Sequence, residues 1–361
     1  MPAISVTVDC PVQNSFRVQQ VAAMFDLPVA QRSQETFTAE VPGLDEPWTI
    51  GAIVGPSGSG KSTLARAAFG NAVYQPQAWP AERAIVDALG EAPIQQIAQA
   101  LIAVGLGSPP AWIKPYAVLS NGEKFRCDLA RALLQPSVDS QPALVVFDEF
   151  TSVVDRTVAR FSSAAVSRAL RREQLNRRFV AATCHYDVLE WLEPDWVLDL
   201  ADGSLSRRRL RRPRLCLQVG RCSQAMWRMF ARHHYLSGRL SRGATCYVAS
   251  WKDRPIAFCA VVAMLGKAGQ KRISRIVTLP DYQGLGIGAR LVERVCEDQQ
   301  RSGWRIGITA SHPAVIGYCR KSPRWRFVTR SKTGNATKQQ IGSRAIKPSA
   351  GRGVASFEFI G

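Results

Sequence analysis

The run Gly55-Pro56-Ser57-Gly58-Ser59-Gly60-Lys61-Ser62 constrains this chain more than any other stretch. It follows an apolar segment, 48–54, that suits a strand buried on both faces, and it leads into the helix-forming Thr63-Leu64-Ala65-Arg66. Glycines at 55, 58 and 60 let the main chain close around an anion with its amide hydrogens pointing inward. The spacing then hands Lys61 to the β- and γ-phosphates of a nucleotide and the Ser62 hydroxyl to Mg²⁺. The positive end of the helix from Thr63 faces the same phosphates. Gly55, Ser57, Gly58, Gly60, Lys61, Ser62 and Thr63 are therefore the expected ATP-binding residues, and the fold class expected around them is α/β.

Further elements follow in order. Ala143-Leu144-Val145-Val146-Phe147-Asp148-Glu149 reads as a buried strand ending in two carboxylates, with Asp148 placed to hold Mg²⁺ and Glu149 to orient the attacking water. Leu119-Ser120-Asn121-Gly122-Glu123 precedes a helix, so Ser120 and Gly122 form a second anion site. Gln77, Asp155 and His185 complete the series. This ordered set resembles the ABC ATPases over residues 1–205. The resemblance implies that Ser120 to Glu123 is the signature motif, with Asn121 replacing its usual first glycine. It makes Gln77, chosen over Gln75, the Q-loop glutamine near the metal, Asp155 the D-loop and His185 the switch histidine. Phe37 and Trp48 are candidates for stacking on adenine. Two such domains sandwich two ATPs, so an ATP-dependent homodimer is implied. The short span from Gln77 to Ser120 leaves no room for an SMC-type coiled-coil arm.

Charge divides the chain. Residues 1–200 hold 16 Lys/Arg against 21 Asp/Glu, net −5, while 201–361 hold 31 against 7, net +24. Arg207, Arg208, Arg209, Arg211, Arg212 and Arg214 crowd around Pro213, so 206–214 is read as an arginine-rich boundary whose charges are exposed or neutralised by a ligand. A half so basic is built to meet a polyanion, DNA or RNA.

Beyond the boundary the pattern is a strand at 215–219, a helix at 223–236, strands at 244–251, 255–265 and 273–279, a helix at 287–300, a strand at 304–309, a short helix at 313–320 and a last strand at 354–360. Gln283-Gly284-Leu285-Gly286-Ile287-Gly288 lies between the third of these strands and a helix, which leaves amides free for a pyrophosphate. No acidic residue stands about twenty positions on, as a Rossmann site would want. The stretch resembles motif A of the GNAT acetyltransferases, and the resemblance covers residues 215–361, an α+β domain. It implies acetyl-CoA or another acyl-CoA as cofactor, with Gln283, Gly284, Gly286 and Gly288 at its pyrophosphate. Ile276 and Val277 would offer main-chain contacts to its pantetheine arm, and Tyr318 would protonate the departing thiolate. The usual motif A glutamate is replaced by Arg272, Ser274 and Arg275. The base is left among His233, His234, Asp281 and His312, with His234 preferred and His233 read as core.

The function expected is ATP hydrolysis joined to acyl transfer from acyl-CoA to an amine of DNA or RNA. Trp304, Trp325 and Phe327 are candidates for stacking on a base, core packing being the better reading for two of them. Fusions of this kind look prokaryotic or phage-encoded, and GNAT enzymes are similar in fold to phage Mom-like DNA-modifying acyltransferases. The alternatives are a small-molecule or protein N-acetyltransferase under ATPase control, and a nucleic-acid-binding ATPase switch whose GNAT part only binds. The sequence has no apolar run of spanning length, no secretory start, and nine cysteines without a C-x-x-C pair, so a cytoplasmic protein is expected.

Overall fold

The computed structural model describes residues 3–11, 13–27, 32–135, 143–207, 210, 212–234, 239–264, 266–332 and 353–361. In chain order the elements are β1 (Ala3–Pro11), α1 (Phe16–Phe25), β2 (Arg32–Glu40), β3 (Ile50–Val54), α2 (Lys61–Phe69), α3 (Ile85–Ala88), α4 (Ile94–Ala103), α5 (Pro109–Trp112), α6 (Asn121–Leu134), β4 (Ala143–Phe147), α7 (Arg156–Arg171), β5 (Arg177–Thr183), α8 (Leu189–Leu192), β6 (Trp196–Asp199) and β7 (Ser204–Ser206). There follow β8 (Gln218–Cys222), α9 (Trp227–Phe230), β9 (Thr245–Trp251), β10 (Arg254–Ala263), β11 (Gln270–Thr278), α10 (Ile287–Arg301), β12 (Arg305–Ala310), α11 (Pro313–Lys321), β13 (Trp325–Lys332) and β14 (Gly353–Phe359).

The chain forms two compact units. The first comprises Met1–Gln77, Gln135–Val153 and Leu170–Arg212. Its main sheet has the order β4-β5-β3-β6-β7. The first four strands are parallel and β7 is antiparallel at one edge. All five residues of β3 are buried, as expected for a strand covered on both faces. Ile53, Leu64, Val146, Val180, Trp196 and Leu198 belong to one core cluster. A separate two-stranded ribbon pairs β1 with β2.

The second unit comprises Ala78–Leu134, Val154–Ala169 and Pro213–Gly361. It contains the helices α3 to α6, most of α7 and a sheet of order β13-β14-β12-β11-β10-β9-β8. Only β11 and β12 are parallel neighbours. Their pairing runs from Gln270 with Arg305 to Ile273 with Ile308. A bulge then interrupts β11, because Ala260 and Val261 of β10 pair with Arg275 and Ile273, skipping Ser274. The extra residue bends the strand. From residue 275 to 278, β11 pairs with β10 but not with β12, so the sheet splays there.

The segment read as a helix over 223–236 is instead a chain of single turns, with α9 only four residues long. Trp227 and Phe230 are buried there against Phe258. Tyr235 and Leu236 lie outside the described residues, as do Arg208, Arg209, Arg211 and most of the basic tail from Ser331. No helix among the described residues is long and apolar enough to cross a membrane.

Candidate functional site

The parallel register sets the first site. Val54 pairs with Thr183 and Phe147 with Ala181, so β3, β4 and β5 end together. Gly55, Asp148 and His185 therefore leave the sheet at one edge, the carboxyl edge, where open α/β sheets bind ligands. Gly55, Gly58 and Gly60 have φ of 153°, 82° and 78°, a loop conformation that side-chain-bearing residues resist. Gly60 ends the loop as the cap of α2, with the Phe37 ring so close that a β-carbon would meet it at 2.4 Å. Trp48, the other adenine candidate, is buried edge-on against Trp196 and belongs to the core.

The Lys61 ammonium lies in the loop, donating to the carbonyls of Gly55 at 3.0 Å and Pro56 at 2.6 Å. Ser59 Oγ is buried without a partner. Ser57 is exposed, and Ser62 and Thr63 on the first turn of α2 are half-buried. A cradle of left-handed glycines, a buried ammonium and an orphan hydroxyl fit a polyphosphate. Asp148 accepts from the Glu149 amide at 3.0 Å, and Glu149 accepts from Ser152 Oγ at 2.6 Å. Glu149 and Thr151 both hold positive φ, 52° and 69°. For a β-branched threonine this is a true outlier, costing about 1–3 kcal/mol. Thr151 is fully buried and its hydroxyl lies 3.4 Å from Nδ1 of His185. Gln75 and Gln77 are both exposed.

Ser120 and Glu123 form a capping box at the start of α6. Glu123 accepts from the Ser120 amide at 2.9 Å and its hydroxyl at 3.0 Å, and Ser120 Oγ accepts from the Glu123 amide at 3.3 Å. Gly122 packs so near Val158 that a β-carbon would lie 3.2 Å from it.

The second loop opens α10. Gly284 and Gly286 are left-handed, with φ of 88° and 78°, and Gly286 caps the helix. A β-carbon on Gly288 would stand 3.0 Å from Thr278 Oγ1. Ile276 and Val277 lie in the splayed part of β11, where the edge away from β10 is not paired with β12. A splayed strand edge beside a glycine-built helix start fits a ligand with an amide-bearing arm and an anionic group. Tyr318 donates its hydroxyl to the carboxylate of the buried Glu293, whose other oxygen lies 3.4 Å from Arg324. Burial, then Glu293, pushes the tyrosine up to about 12.

The histidines are placed against the sequence reading. His234, the preferred base, is the buried one, edge-on to Trp227, whereas His233 is half-buried with Nε2 accepting from Arg232 Nε at 3.0 Å. The chain turns rather than continuing as a helix, which exchanges the two faces. His312 caps α11 and its Nε2 lies 2.9 Å from the Gly107 carbonyl, so both ring nitrogens are engaged. Two boundary arginines are neutralised by the protein itself: Arg207 pairs with Glu46, and Arg212 with Glu193 at 2.8 Å. Among the aromatics, Trp325 is buried on Phe359, Trp304 lies under Lys271, and Phe327 is half exposed.

Residues 32–215, just over half of the chain, match the family described as Novel STAND NTPase 1. The chain belongs to that family. Residues 242–321 match the acetyltransferase (GNAT) domain. This STAND NTPase is thus a P-loop NTPase with a C-terminal GNAT domain, mixed α/β followed by α+β. No curated protein matches it. Similar solved structures include a Bacillus subtilis acetyltransferase in complex with CoA, 14% identical, covering 40% of this chain and 98% of that one with a TM-score of 0.31. The ribosomal-protein-S18-alanine N-acetyltransferase of Escherichia coli is 14% identical over 40% of this chain and 93% of its own, TM-score 0.31. A bacterial ABC transporter cassette, in a dimeric structure, is 16% identical over 49% and 93%, TM-score 0.36.

Several residues of the STAND NTPase were not legible beforehand. The bulge at Ser274 has no signal in sequence; in the fold the Ser274 hydroxyl donates to Ala260 O at 3.1 Å. Glu293 reads as one exposed acid on an amphipathic helix, yet it is 6% exposed. The Gln283 side chain is also more than a loop marker. Its Nε2 donates to Thr278 O at 2.9 Å and its Oε1 accepts from Gly107 N at 2.7 Å.

Proposed function

We propose that this chain is an ATP-hydrolysing, acyl-CoA-dependent N-acyltransferase whose acceptor amine is carried by DNA or RNA. The observation behind it is the pairing, in one chain, of two loops of left-handed glycines at helix starts, one beside Lys61 and two carboxylates, the other beside a splayed strand. We read the NTPase as ABC-type from the order Gln77, Ser120 to Glu123, Asp148-Glu149, Asp155 and His185. On that reading two copies close on ATP as a dimer.

In the first site Lys61 neutralises phosphate charge, Ser62, Gln77 and Asp148 hold Mg²⁺, and Glu149 orients the water, with His185 kept in place by Thr151. In the second, the amides of 284–288 bind the cofactor's pyrophosphate and the main chain of Ile276 and Val277 its arm. Acyl-CoA supplies an activated thioester. Tyr318 holds a proton for the thiolate that leaves, and Glu293 and Arg324 fix its orientation. Because Tyr318 stays protonated to about 12, its proton is present throughout the physiological range. Tyr318→Phe should lower kcat for acyl transfer about 10²-fold or more, with KM for acetyl-CoA little changed and the pH profile below about 9 unchanged in shape. A kcat near wild type in steady-state assays would remove Tyr318 from the reaction.

The nucleic-acid acceptor rests on the net +24 of residues 201–361. Arg207 and Arg212 hold internal acids, so phosphate contacts are assigned elsewhere. The strand β13 lies at a sheet edge, exposed from Arg326 to Lys332, and carries Arg330, Lys332 and the half-exposed Phe327. If about six phosphates are contacted, affinity for DNA or RNA should fall roughly 10³-fold between about 50 and 200 mM salt. Changing Arg330 and Lys332 to Gln should lower the log–log slope by about one unit per lost contact. Anisotropy titrations check this. Absence of binding at low salt would leave an acidic protein or a small molecule as the better acceptor. Mass spectrometry of nucleosides from expressing cells identifies the product.

A further inference from the structure

The helical part of the second unit, which carries Ser120 and Gly122, also grips the glycine loop before α10. Arg126 lies about one and a half turns into α6 and is 1% exposed on its side chain. Its Nη2 donates to Asp281 Oδ1 at 3.4 Å and its Nε to Ser162 Oγ at 3.3 Å. The Gly107 amide holds the Gln283 side chain, and the Gly107 carbonyl holds His312. Arg168 on α7 donates from Nη1 to the Gly284 carbonyl at 3.1 Å. Ala165 packs so tightly that a β-carbon on Gly284 would lie 2.4 Å from its own. Phe161 of α7 meets the rings of Tyr282 at 4.9 Å and Trp251 at 5.4 Å. Residues 281–284 are thus each tied to α6, α7 or the turn at 105–107.

We propose that Arg126 and Arg168 are positioning residues of the acyl-CoA loop, and that through them ATP and acyl-CoA binding are linked in free energy. This rests on the readings of Ser120 to Glu123 and of 283–288 given under Proposed function. Arg126 lies six residues beyond Ser120 on one helix, about 9 Å along a rigid rod. On the dimer reading, a nucleotide carried by the second copy that engages the start of α6 displaces Arg126 with it. Asp281 follows, and the geometry of the amides at 284–288 follows Asp281. Linkage requires the effect to be reciprocal.

The test is calorimetry on the full chain with acetyl-CoA, with and without saturating Mg²⁺ and AMP-PNP. The Kd for acetyl-CoA is expected to change at least about 5-fold, with an equal factor for AMP-PNP when acetyl-CoA is saturating. Asp281→Asn removes a charge from a half-exposed side chain, and Arg168→Gln removes the bond to Gly284. At least one should reduce the factor below about 2-fold while AMP-PNP affinity measured alone stays as in wild type. The coupling factor, lost while AMP-PNP affinity alone is unchanged, is the readout that a merely structural role does not move. A wild-type Kd unaffected by AMP-PNP overturns the linkage. Linkage that persists in both variants overturns the positioning role. Failure of acetyl-CoA to bind in any state, or of AMP-PNP to bind, removes the site reading itself and the proposal with it.

Discussion

Replacing Glu149 by Gln is expected to stop ATP hydrolysis and leave ATP bound. The substitution keeps the size of the side chain and its bond from Ser152 Oγ has an amide oxygen to accept it. What it removes is the negative charge that orients and polarises water, worth about 10²-fold or more in turnover. Lys61, buried in its loop and donating to two carbonyls, is untouched, so phosphate affinity should persist. The positive φ at Glu149 is unchanged by Gln, which keeps the strain and its support the same. With hydrolysis blocked, ATP should accumulate a dimer visible by light scattering. Turnover near wild type in a steady-state phosphate-release assay would take Glu149 out of its assigned role. Loss of nucleotide binding would point to a structural role instead.

The second large effect is at the other loop. Gly286→Glu should abolish acetyl-CoA binding, with at least a 10²-fold loss, about 2.7 kcal/mol, measured by calorimetry. Three causes act together. Gly286 sits at φ 78°, which costs a side-chain-bearing residue about 1–2 kcal/mol. A β-carbon there would stand 2.7 Å from Arg168 Nη1, so the guanidinium must move. The new carboxylate would then compete for the amides that α10 offers to a pyrophosphate. ATP hydrolysis without acetyl-CoA is expected to continue, which separates a local loss from unfolding. Unchanged acetyl-CoA affinity would remove the anion-binding role of 284–288.

How much of this was legible depended on where the signal lies. The two glycine loops were readable because left-handed φ restricts the residue type, so the constraint is written in the sequence itself. The strand β4 was read at its observed bounds because five apolar residues end at two carboxylates. The strand β13 was missed because seven of its eight residues are exposed and three are charged, which leaves no alternating apolar face. The helix over 223–236 was misread because Met226, Met229 and Phe230 keep helical spacing while the chain turns to bury Trp227 and Phe230. That the family is a STAND NTPase is likewise not written in the loops, which many NTPases share.

By itself the sequence determined the class of both domains, the two anion loops and the charge division, because each depends on residue type at short range. The tertiary structure alone decided what long-range contact decides. It neutralised Arg207 with Glu46, 161 residues away, and Arg212 with Glu193, 19 residues away. It buried His234 and left His233 only half-buried. It opened β11 from β12 with one bulge, and it brought Gly107 and Arg126 onto Gln283 and Asp281 across more than 150 residues of chain. Pairings at that separation leave no periodicity behind, since the sequence records what each residue is and only the fold records what it meets.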